Sequence, residues 1–177
     1  MEKYVNGLSK LCVESLRMEV LSLVVTLFYI YPSIAGADIQ FENVSEAAGL
    51  SYEGESWGAA WADYDNDGNP DLWVTNHISR PSLYLNKGDG TFVDISESAL
   101  PQEVYAVDKN DAHGAAWADF DNDGDQDLIQ LVGADLETTG GSNPNLFLVN
   151  QGETLEELGV EFGLDYTEGR GRMPLWL

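Results

Sequence analysis

Cysteine is nearly absent: Cys12 is the only one, and it precedes the body of the chain. No intrachain disulfide framework, cysteine nucleophile or thiolate metal site is therefore open to the remainder. Basic residues are also scarce, with 8 Lys and Arg against 31 Asp and Glu for a formal charge of −23. Nothing basic is clustered enough to neutralise a row of phosphates, which excludes nucleic acid as a partner. No apolar pattern holds a helical period for three turns after residue 37, and there is no Gly-x-Ser-x-Gly elbow, His-Glu-x-x-His helix or phosphate-cradling glycine loop. An all-helical fold and the commonest hydrolase machineries are thereby set aside. What remains is a chain of 177 residues with 44% hydrophobic residues, enough to build a core.

One long apolar run occurs, from Val20 to Tyr31, preceded by Lys3, Lys10 and Arg17 and followed by Pro32 and the small residues Ala35 and Ala37. This is signal-peptide anatomy over residues 1–37 with cleavage expected after Ala37; an uncleaved signal anchor is the alternative. The run is shorter than the roughly 20 residues that span a bilayer. Export is expected, placing the protein outside the cell or at its surface, in the periplasm or on the outer surface in a bacterium. Membrane contact is expected only through the leader if it stays attached. Removing residues 1–37 deletes three acids and three bases, so the charge stays with the body of the chain.

That body is repetitive. Shifted by 56 residues, Gly58 to Leu72 (GAAWADYDNDGNPDL) lies on Gly114 to Leu128 (GAAWADFDNDGDQDL) with 12 of 15 positions identical. A second shared stretch, SLYLNKGDGTFVDISESAL at 82–100 and NLFLVNQGETLEELGVEFGL at 145–164, is offset by 64 at Asn86 and Asn150, so the second unit has the longer loop, expected within Gly133 to Pro144. A third, a Phe or Leu followed by acids and a small-residue stop, recurs at 41–50, 92–100 and 155–164.

The first unit reads as strands over Trp57–Ala62, Leu72–Asn76, Leu83–Asn86 and Thr91–Ile95, the last two joined by Lys87-Gly88-Asp89-Gly90 as a tight hairpin with positive φ at its glycines. A repeated four-stranded antiparallel unit of this length predicts an all-β fold of β-propeller blades: about two blades plus the start of a third, an incomplete ring. A β-sandwich or open meander is the alternative. The expected divisions are a lead-in strand segment at 38–56, blades at 57–100 and 113–164, and a truncated third blade at 165–177, where Trp176 aligns with Trp61 and Trp117. On that alignment the chain is expected to be a fragment of a longer reading frame, or to associate.

Asp63, Asp65, Asp67, Gly68 and Asp71 form D-x-D-x-D-G-x-x-D, and Asp119, Asp121, Asp123, Gly124 and Asp127 repeat it. Carboxylates at alternate positions before a glycine suit a chain curling round a hard cation, since Ca²⁺ takes about 6–8 oxygens. Positions one, three and five, the carbonyl of position seven (Asn69 or Asp125) and the carboxylate of position nine nearly complete that shell. An EF-hand would need a bidentate Glu at position twelve, where Val74 and Gln130 stand. The flanks are strand residues, so each loop joins two strands.

In these loops and in the LYLNKGDGTFVDIS stretch the sequence resembles the FG-GAP or VCBS repeat family of integrin-α-like β-propellers, most of all secreted bacterial relatives of the cartilage acidic protein family. The resemblance covers residues 39–177 and implies two Ca²⁺ sites, one of Asp63, Asp65, Asp67, Asn69 and Asp71, the other of Asp119, Asp121, Asp123, Asp125 and Asp127. The loops share no ligand, so the sites are expected to be independent.

His77 and His113 occupy different places in the repeat and are expected to be structural or surface residues rather than catalysts. Trp61 and Trp117 recur at one position and are expected to pack blades, while Trp57 and Trp73 are unmatched and open to a ligand role. The function expected is an exported calcium-binding scaffold for an extracellular protein or carbohydrate, not an enzyme. The alternative is the propeller part of a calcium-dependent hydrolase or lyase acting on extracellular polymers.

Overall fold

Two four-stranded antiparallel sheets follow one another along the chain. In the first, β1 (Ser56–Ala62), β2 (Asp71–Asn76), β3 (Ser82–Asn86) and β4 (Phe92–Asp94) lie in the order β1-β2-β3-β4; in the second, β5 (Ala112–Ala118), β6 (Asp127–Val132), β7 (Leu146–Asn150) and β8 (Leu155–Glu157) lie in the order β5-β6-β7-β8. Each sheet is a meander in which every strand pairs with its sequence neighbour, the layout of a propeller blade. The computed structural model describes residues 39–50, 52–106, 111–133, 143–167 and 171–176; the leader and most of the long second-unit loop lie outside them. The chain divides into Met1–Asn43, of which only residues 39–43 are described and have no regular structure, and Val44–Leu177, which holds both sheets.

Local chemistry accounts for the strands. Leu, Trp, Val, Tyr and Phe alternate or cluster in β2, β3 and β7, and turns carry the glycines. Gly88 and Gly90 take φ of 72° and 87° in the β3–β4 turn, and Gly152 takes 90° in the β7–β8 turn, as a tight reversal requires. Expected strand Thr91–Ile95 shortens to Phe92–Asp94, because Ser96 begins a single-turn helix, α1 (Ser96–Ala99), followed by α2 (Gln102–Tyr105); α3 (Gly159–Phe162) stands after β8 in the same way. These helices are too short to show a period. Of the lead-in, expected as strand, the described residues 39–50 and 52–55 contain turns at 45–49 and no strand, with Gly49 at φ 82° and the Ala48 carbonyl accepting from Phe92 N at 2.8 Å.

The core runs through both sheets: Tyr64, Trp73, Leu83, Ala99, Leu100, Val104, Leu128, Leu146, Leu148 and Leu155 are buried together. Full burial of each large apolar side chain among them is worth about 1.5–3 kcal/mol. Trp73 is wholly buried, donating from Nε1 to Gln130 Oε1 across the sheets at 2.9 Å and standing edge-on to Trp117 at 6.2 Å. The expected ligand role for Trp73 is therefore corrected: its ring is core. Trp117 is wedged between the sheets, with Nε1 donating to Ala60 O at 3.3 Å. Trp61, at the same repeat position, is 58% exposed, with the Phe92 ring edge-on at 6.1 Å; no sheet precedes the first among the described residues.

The GAA of each unit has a packing cause. A Cβ at Gly58 would come within 2.3 Å of His113 O, so β1 and β5 approach more closely than any side chain allows. The contact recurs one unit on: a Cβ at Gly114 would sit 2.4 Å from Arg172 O, whose carbonyl accepts from Gly114 N at 2.9 Å. Trp176 Nε1 faces Ala116 O at 3.4 Å, as Trp117 faces Ala60. Residues 171–176 thus lie along β5 as β5 lies along β1.

Candidate metal centres

Each acidic loop joins the first strand of a sheet to the second, β1 to β2 and β5 to β6. Inside the loops the fourth and sixth positions turn left-handed, Asn66 at φ 58° and Gly68 at 90°, then Asn122 at 62° and Gly124 at 100°. Asn tolerates that region better than most residues with a side chain, and Gly enters it without cost. The reversal carries position nine back towards positions one and three. Asp63, Asp65 and Asp71 converge so that one carboxylate oxygen from each lies within 4.8 Å of the others, and Asp119, Asp121 and Asp127 do the same.

The carboxylates are held rigidly. Asp71 is buried, with Oδ2 accepting from Tyr64 N at 2.8 Å and Oδ1 from Asn86 N at 2.7 Å. Asp127 is its counterpart, accepting from Phe120 N at 2.8 Å and Asn150 N at 2.9 Å. Asp63 Oδ2 accepts from Gly68 N and Asp119 Oδ2 from Gly124 N, at 3.0 and 3.1 Å. The other oxygens, Asp63 Oδ1 and Asp119 Oδ1, are buried and have no hydrogen-bond partner among the described residues. An orphaned carboxylate oxygen is costly unless something positive meets it. Burial pushes Asp71 and Asp127 above the ordinary carboxylate range, against the lowering by their two backbone N–H donors, and the neighbouring loop aspartates push the same way. Both triads can hold a metal ion.

The remaining expected ligands stand differently. Asp67 is turned along the loop, accepting from Asn69 N at 2.7 Å and Asn69 Nδ2 at 3.0 Å, which lowers its pKa. Asp123 accepts from Asp125 N at 2.9 Å. Asn69 and Asp125 are half-buried in position seven, and Asp125 Oδ1 accepts from Asn66 Nδ2 of the other loop at 2.7 Å. Sequence spacing brings positions one, three and nine together but leaves positions five and seven outside the triads.

Sequence reasoning missed the asparagines. Asn150, buried at the end of β7, donates from its backbone to Asp127 Oδ1 and from Nδ2 to Tyr64 O of the first loop at 2.9 Å. Tyr64 N in turn donates to Asp71. The two centres, expected to be independent, are joined through Asn150–Tyr64 and Asn66–Asp125. The only available signal was the alignment of Asn150 with Asn86.

The unmatched histidines meet at the opposite ends of the inner strands. His77 Nε2 and His113 Nε2 lie 3.0 and 3.1 Å from Asp111 Oδ1, and Trp57 stacks on His77 at 4.0 Å with planes 4° apart. Trp57 remains 53% exposed. Burial pulls the pKa of His113 down; Asp111 opposes this and Arg172 adds to it.

Residues 63–129, spanning both acidic loops, match the FG-GAP-like repeat family. The chain is also 35% identical over 91 residues to cartilage acidic protein 1 of Xenopus tropicalis, covering 51% of this chain and 13% of that protein. The chain thus spans a small part of its relative's length. The two meander sheets, each carrying the aspartate loop between its first and second strands, are consistent with the propeller blades of the FG-GAP-like repeats that residues 63–129 match.

Proposed function

We propose that the chain is an exported binding scaffold whose blades are locked by two calcium ions, acting by adhesion rather than catalysis. The observation that carries the metal is the pair of buried, partnerless oxygens, Asp63 Oδ1 and Asp119 Oδ1, each in a triad with two further carboxylates. Calcium is the ion of choice because every donor is a hard oxygen and no His or Cys is in either group. Asp63, Asp65 and Asp71 would hold one ion and Asp119, Asp121 and Asp127 the other. Rotation of Asp67 and Asp123, with the carbonyls of Asn69 and Asp125, would supply further ligands. The bound ion would supply charge neutralisation at the start of β2 and β6, where the acids otherwise repel one another.

The leader anatomy supports export, and extracellular calcium is plentiful enough to fill sites of Kd about 10⁻⁴–10⁻³ M. The partner would be an extracellular protein or carbohydrate, met by loops that the repeat scaffold leaves free to vary. Calorimetric titration of the metal-free protein with Ca²⁺ should show two sites per chain, with Mg²⁺ failing to compete at equal concentration. Titration without heat, or with one site that survives loss of both Asp65 and Asp121, would overturn the reading.

A further inference from the structure

The two repeats serve as each other's control, and they differ on one face. The last residue of β2 is Asn76, where β6 has Val132; β3 carries Ser82 and Tyr84, where β7 carries Leu146 and Leu148. All six are buried. Apolar residues occupy these positions in the second blade, so a polar set here is particular to the first repeat. It lines a cavity of about 250 Å³, together with Tyr52, Arg80 and Asp94. That volume is below the roughly 300–1,000 Å³ of drug-sized sites, which limits the occupant to a small polar molecule.

The loop that brings Arg80 there is strained and tied down. Ile78 takes φ 56°, a conformation that a β-branched residue rarely enters, and it is 57% exposed, so burial does not compensate for it. Asn76 fixes the loop: its Nδ2 donates to Arg80 O and Ser82 Oγ, both at 2.9 Å, and its Oδ1 accepts from Ser56 Oγ at 3.0 Å. His77 N is bound to Glu55 O at 2.8 Å. The Arg80 guanidinium lies 4.5 Å over the Tyr105 ring. Among the described residues no carboxylate lies within ion-pair distance of it, in a chain of charge −23. At the other side of the cavity, Asp94 Oδ1 accepts from Ser96 N and Oγ, and Oδ2 has no partner among the described residues.

A guanidinium fork without its anion, an open carboxylate oxygen and two tyrosines call for a ligand with a carboxylate at one end and hydroxyl donors at the other. A simple anion would meet Asp94 unfavourably, and a neutral sugar would leave the Arg80 charge unanswered. We propose that this cavity binds a uronic-acid pyranose, its carboxylate on Arg80 and its hydroxyls on Asp94 and the tyrosines. The proposal rests on the reading of the chain as a binding scaffold and names the ligand class for its first blade.

The test uses the calcium-loaded protein and titrates methyl β-glucuronide and methyl β-glucoside by calorimetry or NMR shift perturbation. The glucuronide should bind at least tenfold more tightly than the glucoside. R80M should abolish that preference, R80K should retain part of it, and both variants should keep the wild-type melting midpoint and two calcium sites. A uronate tetrasaccharide binding tighter than the methyl glycoside assigns a polysaccharide source; equal binding assigns the single sugar. Equal affinity for the two methyl glycosides, no binding of either, or full binding by R80M would each overturn the site. Those results with two calcium ions still bound would leave the calcium scaffold standing, whereas loss of calcium binding would strike that reading instead.

Discussion

The link between the two acidic loops makes Asn150 the most informative residue to change. Its side chain donates to Tyr64 O across the sheets and accepts from Gly152 N, each at 2.9 Å, and the residue is 1% exposed. Asn150→Ala removes two hydrogen bonds; the Gly152 N–H is exposed and can turn to water, but the Tyr64 carbonyl is left buried without that partner. At about 1–3 kcal/mol for one buried group left unsatisfied, the loss is roughly 3–9 °C at ~3 °C per kcal/mol. The backbone N–H to Asp127 survives the change, so the second loop keeps its own support. The first loop loses the restraint on Tyr64, whose N–H orients Asp71. Asn86→Ala is the matched control, because Asn86 Nδ2 donates only to Pro70 O at an exposed site within its own unit. Thermal melts in calcium should place Asn150→Ala well below Asn86→Ala, and calorimetry should show the first calcium site weakened by a substitution in the second sheet. Equal midpoints for the two variants, with both sites keeping wild-type affinity in Asn150→Ala, would refute the coupling.

Chelation should lower the melting midpoint, since saturation at 100 times Kd contributes about 2.7 kcal/mol per site; equal midpoints with and without chelator would defeat the metal assignment. In chelator, Asp71 and Asp127 have raised pKa values in the folded state, so the metal-free protein should gain stability as pH falls through the carboxylate range and lose it as pH rises; urea midpoints at stepped pH would read this. Tyr64→Phe should be neutral to about 1 kcal/mol stabilising in the same urea assay, because the buried hydroxyl has no partner, its pKa is pushed up to about 12 chiefly by burial, and Phe120 fills that place in the second unit. His113 is lowered by burial, so its contribution to stability is present above pH ~6.5 and lost as pH falls below it; His113→Gln should flatten the acid limb of the stability profile in that window, and an unchanged limb would count against it.

The strand order, the duplication and the two acidic loops were legible in the sequence because each rests on local regularity: alternating apolar residues, turn glycines, and carboxylates at alternate positions before a glycine. Asp63, Asp65 and Asp71 converge because the loop between them reverses on Asn66 and Gly68, and their counterparts Asp119, Asp121 and Asp127 converge in the same way. Burial, by contrast, depends on which sheet stands opposite, and residue type does not carry that. Trp61 and Trp117 share a motif, yet one faces solvent and the other is pressed between sheets; Trp73, unmatched and suggestive of a ligand contact, fills the core. His77 and His113 look solitary along the chain because the Asp111 carboxylate they share is approached from the end of β2 by one and from β5 by the other, with β5 drawn close to β1 at Gly58. Asn150 and Arg80 acquire their roles in the same way. Short-range chemistry wrote the two sheets and their acidic triads, and only the packing of one sheet on another decided which side chains are core and which bridge the two loops.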